Sequence, residues 1–270
     1  MKKLFSLLLV CMMLVGVAAH HCLAEDTSLT DLQKRGKLVL GLDASFPPMG
    51  YLDPVTGEIT GFDIDVAKAV CDKLGVKLEC LGIDWDAKQM ELDSGNIDCI
   101  WNGLSITPER LEAMSISIPY MKNEMVVTVL KDSPYKTLSD LAGKRLGLQT
   151  GSTAEDALNA AADFKASLGE VCYFEENATA LMDLSNGGVD AVLVDFVVAD
   201  YYITAMDADY VLLDETLAGE EYGIGFRKEA EGDAALTEAV NAALTELAQD
   251  GTLAEIASKW FSQDMTIVGK

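Results

Sequence analysis

The stretch Asn102-Gly103-Leu104-Ser105-Ile106-Thr107-Pro108-Glu109-Arg110 sets the reading of the whole chain. It follows a short apolar run, Ile97-Asp98-Cys99-Ile100-Trp101, whose length and composition fit a buried strand. Thr107 before Pro108 reads as a helix N-cap with proline at the first helical position, where its missing N–H costs nothing. Arg110 then falls in the first helical turn. A cation there opposes the helix macrodipole, so the guanidinium and the free N–H groups concentrate positive charge at one spot. Such a spot suits an anion, and a planar carboxylate best, because arginine grips it through two parallel hydrogen bonds. The same spacing also fits a solvated arginine paired with Glu109 or Glu112.

Outward from this stretch, strand and helix patterns alternate. Residues 37–42 read as a first strand, followed by a loop with Pro47, Pro48 and Gly50. Residues 63–74 predict a helix with Ile64, Ala67, Val70 and Leu74 on one face, ended by Gly75. A strand over 76–81 and a short helix over 86–94, closed by Gly95, come next. Residues 125–130 form another strand-like run. A second cycle then begins, with strands over 145–148, 171–174 and 190–194 and helices opening at Ala154 and Asn177. A strand returns over 222–226, and helices over 233–249 and 253–261 close the chain. This alternation argues for an α/β fold with mostly parallel strands.

The formal charge is −24, from 20 basic and 44 acidic residues. Nothing basic is clustered to meet phosphate, so nucleic acid and anionic membrane surfaces are poor partners. The acid excess reads as a solvated surface that also steers cationic ligands weakly. No apolar run reaches the roughly 18 to 20 residues that span a bilayer. Residues 1–24 combine Lys2 and Lys3 with an apolar stretch and a small-x-small site at Cys22-Leu23-Ala24, the pattern of a secretory signal peptide. Its removal leaves Glu25 first, takes away His20 and His21, and lowers the charge to −26, because only Lys2 and Lys3 are lost from the basic residues. A lipid anchor at Cys22 is the other possibility; the residue before a lipidated cysteine is normally small and here is His21, which favours free release into the periplasm. Cys71, Cys80, Cys99 and Cys172 remain in a compartment that permits disulfides. Cys71 and Cys80 flank a helix-to-strand turn, whereas Cys99 and Cys172 sit in apolar strands and read as buried thiols.

Two further places carry chemistry. The loop Gln149-Thr150-Gly151-Ser152-Thr153 joins a strand to a helix and offers N–H groups to an anion, or simply an N-cap. It lacks the Gly-Lys-Ser/Thr of a Walker loop. Asp195 ends a strand of apolar residues, where an acid of an α/β sheet points toward the ligand crevice, or caps the helix that starts at Phe196.

Together the 102–110 stretch, Gly61-Phe62-Asp63-Ile64-Asp65 upstream and Asp190-Ala191-Val192-Leu193-Val194-Asp195 downstream resemble the polar amino-acid-binding proteins that feed bacterial ABC importers, such as those for histidine, glutamine and lysine/arginine/ornithine. The likeness covers nearly the whole mature chain in the right order. It implies the two-lobe type II periplasmic-binding-protein fold, with two hinge strands and the ligand in the interlobe cleft. Lobe 1 is expected over 36–121 and 217–270 and lobe 2 over 122–216. A bridge near Cys71 and Cys80 occurs in some relatives.

The resemblance also assigns roles. Arg110 with Ser152 and Thr153 would hold the ligand carboxylate. Asp195, with the Gly103 carbonyl and Ser105 hydroxyl, would hold the ammonium. Asp43, Phe46, Phe62, Trp85, Asn102 and Gln149 would select the side chain, although each aromatic also fits simple core packing. Aromatic walls beside an acid suit a guanidinium or ammonium, which puts arginine or lysine ahead of glutamine and histidine. The expected partners are a free amino acid and the permease subunits, with the protein a monomer.

Enzyme signatures are thin. There is no Gly-x-Ser-x-Gly, His-Glu-x-x-His or Cys-x-x-Cys, no calcium loop and no dinucleotide fingerprint, so no cofactor or metal is expected. Two other readings compete. One is an exported enzyme on the same fold, such as a prephenate or arogenate dehydratase with Glu58 or Asp43 as general acid. The other is a ligand-sensing partner of a receptor.

Overall fold

The computed structural model describes residues 27–228, 235–261 and 264–270. The expected leader over 1–24, with Cys22 and both histidines, lies outside these residues. The first strand, β1 (Lys37–Leu42), is the apolar run read from the sequence, buried over 38–42. Three short strands, β2 (Ser45–Phe46), β3 (Gly50–Leu52) and β4 (Ile59–Thr60), make a small antiparallel sheet of their own. The large sheet takes in β5 (Lys77–Gly82), β6 (Cys99–Ser105), β7 (Met114–Ile116), β8 (Met121–Leu130), β9 (Arg145–Gln149), β10 (Glu170–Phe174), β11 (Ala191–Asp195) and β12 (Tyr210–Arg227).

Its order is β10-β9-β11-β8-β12-β6-β1-β5, with β7 pairing with β12. At one end β5, β1 and β6 run parallel; at the other, so do β10, β9 and β11. Between these parallel ends, β8 and β12 run antiparallel to each other and to their outer neighbours. This is the two-lobe α/β plan, with β8 and β12 as the two strands that cross from lobe to lobe. Parallel strands need helical crossovers, and the helices supply them. The helix Phe62–Leu74 buries Ile64, Ala67 and Val70 and stops at Gly75, whose φ of 72° an L side chain rarely adopts. Helices Ala235–Gln249 and Thr252–Trp260 pack beside it.

The structure departs from the sequence reading in instructive places. The opening stretch is strand as far as Ser105, because β6 is buried throughout and pairs with β12 through Leu104 and Ser105. β12 begins at Tyr210, well before the expected 222. Exposed Asp214, Glu215 and Thr216 and the register shifts beside them interrupt its apolar pattern. The helix Phe196–Thr204 is apolar on most sides, so no helical period marks it. Cys71 and Cys80 are free thiols, and the bridge implied for that place is not formed. Burial pushes the Cys71 thiol up to about 12. Cys99 is buried, as expected, and Cys172 is half-buried. Among the described residues no helix is long and apolar enough to cross a membrane.

Candidate ligand site

Arg110 is placed by local chemistry. The Thr107 hydroxyl oxygen accepts the Arg110 backbone N–H at 3.2 Å and caps the helix Pro108–Ala113, with Pro108 at its start. The guanidinium donates Nη1–H to the Ser105 carbonyl at 2.8 Å. That bond turns it back onto the end of β6 instead of out toward Glu109 or Glu112. Burial lowers its pKa, yet a guanidinium stays charged in proteins.

Asp195 stands at the end of β11 and is 5% exposed. It occupies the N-cap position of the helix Phe196–Thr204 but makes no capping bond. Its Oδ1 accepts instead from Asn123 Nδ2 at 2.8 Å and from the Tyr222 hydroxyl at 2.6 Å. Both donors come from the crossing strands β8 and β12. Burial first, and the Glu220 charge second, raise the Asp195 carboxyl to about 7.

Ser152 holds the corresponding position before the helix Thr153–Ala160 and likewise makes no side-chain cap. Its hydroxyl donates to the Gln149 carbonyl at 2.8 Å. The helix start therefore keeps its N–H groups clear of a side-chain cap, the state an anion site needs. Thr153 Oγ1 lies 3.2 Å from Ser105 Oγ, across the cleft.

The side-chain end is a network of neutral donors around one acid. Asp43 Oδ1 accepts from the Ser45 N–H at 2.8 Å and hydroxyl at 2.7 Å, and Oδ2 accepts from Gln149 Nε2 at 2.7 Å. Asn102 Oδ1 accepts the Asp43 N–H at 3.1 Å. Gln149 is held in turn: Nε2–H also reaches the Glu175 carbonyl at 2.9 Å, and Oε1 accepts from Asn177 Nδ2 at 2.8 Å. Asn177, expected as a helix cap, thus serves to fix which face of the Gln149 amide donates. Gly103 has a φ of 60°, and a Cβ there would stand 2.9 Å from Phe46 Cε1, so only glycine fits. Its N–H donates to Asp63 Oδ2 at 2.8 Å, which locks the peptide.

These side chains meet at one cavity. Asp43, Phe46, Trp85, Asn102, Gly103, Ser105 and Arg110 line it from one side, and Gln149, Ser152, Thr153 and Asp195 from the other. Phe62 is not among the lining residues. It is fully buried, edge-on to Phe261 at 5.1 Å and stacked with Tyr120 at 6.4 Å. The cleft is closed by direct bonds: Gln149 to Asp43, Ser105 with Thr153, and Lys88 Nζ to the Gly151 carbonyl at 2.8 Å. The sequence reading passed over Asp63, Lys88, Asn123, Asn177, Glu220 and Tyr222, which support or border the site. Asp63 stood within a quoted motif, Asn177 at an expected helix start and Tyr222 at the start of an expected strand; Lys88, Asn123 and Glu220 carry no local signal. Among the described residues no group of three or more His, Cys, Asp or Glu side chains is placed to hold a metal.

Known proteins share this sequence and fold. The chain is 30% identical over 255 residues to the L-cystine-binding protein of Escherichia coli (strain K12), covering 94% of this chain and 93% of that one. It is 32% identical to the ABC transporter arginine-binding protein 1 of the same organism, covering 84% and 91%. Among solved structures, a histidine-bound substrate-binding protein of an ABC uptake transporter from Streptococcus pneumoniae superposes with a TM-score of 0.85 at 38% identity, covering 90% of this chain and 98% of that one. The matching family model runs over residues 38–263, from the first strand past the last helix, and takes in every residue of the cavity. By that match the chain belongs to the bacterial extracellular solute-binding proteins, family 3.

Proposed function

We propose that the protein captures a free L-amino acid between its lobes and presents it to the permease of an ABC importer, as a binding protein and not as an enzyme. One observation carries this reading: Arg110 and Asp195 face a single cavity from opposite lobes. A fixed plus and a fixed minus on opposite jaws match the carboxylate and ammonium of a zwitterion. Since neither lobe completes the site, binding is coupled to closure. Charge-assisted hydrogen bonds contribute about 1.5–3 kcal/mol each, so four or five supply the roughly −8 kcal/mol of micromolar binding after ordering costs.

The cavity favours a cationic side chain, with arginine or lysine ahead of glutamine and histidine. Its charged lining residues are Asp43, Asp195 and Arg110, a net −1. A cationic amino acid, itself +1 overall, balances that in a site where unbalanced charge is costly. Asp43 lines the cavity with Phe46 and Trp85, and three of its roughly four acceptor positions are occupied, which leaves room for one further donor. Of the two acids the dehydratase alternative calls on, exposed Glu58 is not among the cavity's lining residues, and Asp43, which is, accepts hydrogen bonds from Ser45 and Gln149 on both carboxylate oxygens. Export by the leader over 1–24, a monomeric state, and lobe boundaries at 36–121 with 217–270 and at 122–216 belong to the same proposal. The register shifts of β12 at Thr216–Ala218 support the second boundary.

Calorimetry of the twenty proteinogenic amino acids tests this. Tight binding of arginine or lysine without product formation is the expected result. Tightest binding of glutamate overturns the side-chain preference, and turnover of any ligand overturns the non-enzymatic reading.

A further inference from the structure

Glu220 lies on β12 just before Tyr222, outside the cavity's lining residues. Its Oε2 accepts from Ser105 Oγ at 3.0 Å and from Asn123 Nδ2 at 3.1 Å. The same Nδ2 donates to Asp195 Oδ1 at 2.8 Å. One buried amide group therefore ties two carboxylates together, 97 residues apart in sequence in one case and 72 in the other. Asn123 is 2% exposed, and its own Oδ1 is buried without a hydrogen-bond donor. The cluster thus sets two carboxyl groups and an orphaned acceptor around one amide; among the described residues no cation hydrogen-bonds to either carboxyl, since the Arg110 guanidinium donates to the Ser105 carbonyl and acts on Asp195 only through its charge.

Resting on the amino-acid-binding reading above, we infer that Glu220 is part of the binding machinery: with Asp195 it forms a carboxylate pair that receives the ligand's ammonium and releases a proton to solvent in exchange. The buried Asp195 carboxyl beside the Glu220 charge keeps its proton against the single guanidinium of Arg110, since like charges at close range resist joint ionisation. The ammonium supplies a second positive charge, and Asp195 then ionises. Glu220 acts partly through Ser105, whose hydroxyl it orients, and is in that respect a positioning residue.

The surroundings agree with this exchange. Asp195 is faced by Glu220 and Tyr222 from β12, Asn123 from β8 and Arg110 from the helix Pro108–Ala113. Arg110 in turn is faced by Glu220, Asp156, Asp195, Glu109 and Lys88. The Asp195 carboxyl is lifted to about 7 by burial and then by Glu220, with Arg110 acting in the opposite sense. Glu220 also borders an open groove of about 950 Å³ with Lys122, Glu124 and Glu221 on its walls, which gives the proton a way out.

The test is calorimetry of the whole mature protein with L-arginine, and with the other nineteen amino acids, at several pH values in buffers of different ionisation enthalpy. Wild type is expected to release about one proton per amino acid at pH 6 and progressively less toward pH 8, with the dissociation constant rising toward tenfold per pH unit below 7. Glu220→Gln is expected to lower the proton release at pH 6 and move the pH profile to lower pH, burial still holding Asp195 up, and Glu220→Asp to restore part of both. No proton release by wild type between pH 6 and 7 overturns the inference without any variant. So does a Glu220→Gln protein with the wild-type pH profile. Failure of all twenty amino acids to bind strikes the amino-acid reading itself, and the inference with it.

Discussion

Arg110 and Asp195 show how differently two charged residues can be held. Arg110 is fixed from within ten residues, by Thr107 at its N–H and by the Ser105 carbonyl at its guanidinium. Asp195 is fixed from across the molecule, by Asn123 and Tyr222. Arg110→Ala and Asp195→Ala are each expected to weaken amino-acid binding by about 3 kcal/mol or more, because each strands a buried opposite charge on the ligand. Calorimetric titration checks this, and a loss under tenfold for either variant removes its assigned role. Lys88 offers a milder case. Its ammonium donates to the Trp85 carbonyl at 3.0 Å and, across the cleft, to Gly151, and burial lowers its pKa to about 8. Lys88→Met keeps the apolar stem and deletes the donors. It should weaken binding by roughly 1–2 kcal/mol, the worth of a charged hydrogen bond made only on closure. An unchanged affinity would mean that closure does not draw on this contact.

At the scale of elements, β6 and the helix after it set the site. β6 is buried along its whole length and delivers Asn102, Gly103 and Ser105 to the cleft. Gly103 lets the strand turn its backbone through a left-handed residue against the Phe46 ring. Gly103→Ala is expected to cost about 1–3 kcal/mol of stability through strain at that φ, besides displacing Phe46. Urea denaturation reads the stability directly, and a loss under about 0.5 kcal/mol, the range of surface substitutions, would show that the strand accommodates a side chain. Thr107→Ala removes the cap of the helix Pro108–Ala113 and should cost about 1 kcal/mol, with a further loss of affinity as Arg110 loosens. The capping pattern, the glycine stops and the apolar runs were legible in the chain because each acts over a few neighbouring residues. The first half of β12 was not, because its exposed acids are tolerated by pairing with β8, a partner 80 to 82 residues away by the Tyr210–Leu130 and Val211–Val129 pairs.

For the whole molecule, pH is the informative variable. Asp63 is fully buried and accepts from the Gly103 N–H and the Tyr120 hydroxyl, yet its Oδ1 has no partner. Burial raises its carboxyl to about 7, as burial and Glu220 do for Asp195. A folded-state pKa above the unfolded value of about 3.9 means the stabilising contribution is complete below about pH 4 and is lost as pH rises through about 7. The ligand-free protein should therefore melt at a higher temperature at pH 5 than at pH 8. Asp63→Asn should flatten that dependence, and an unaltered slope in the variant would deny Asp63 its part. Ligand works the opposite way for the Asp195 end, by binding the ionised form. Saturating amino acid should raise the melting temperature more at pH 8 than at pH 6, by mass action on the folded state.

What the chain determined by itself was the alternation of strands and helices, the Thr107–Pro108 helix start with Arg110 in its first turn, and the acid at the end of β11. Each depends on propensity, capping or periodicity, which are set by nearest neighbours. The resemblance carried by three short motifs extended this to the two-lobe plan. Tertiary structure alone decided that Phe62 packs on Phe261 instead of lining the cavity, that Asn177 orients Gln149, and that Asn123 and Glu220 stand beside Asp195. These outcomes follow from strand register, the crossing of β8 and β12 and the packing of the last helix against the helix Phe62–Leu74, which bring together side chains 28 to 199 positions apart. A buried carboxylate takes whatever donors that register delivers, and no local pattern in the sequence encodes the choice.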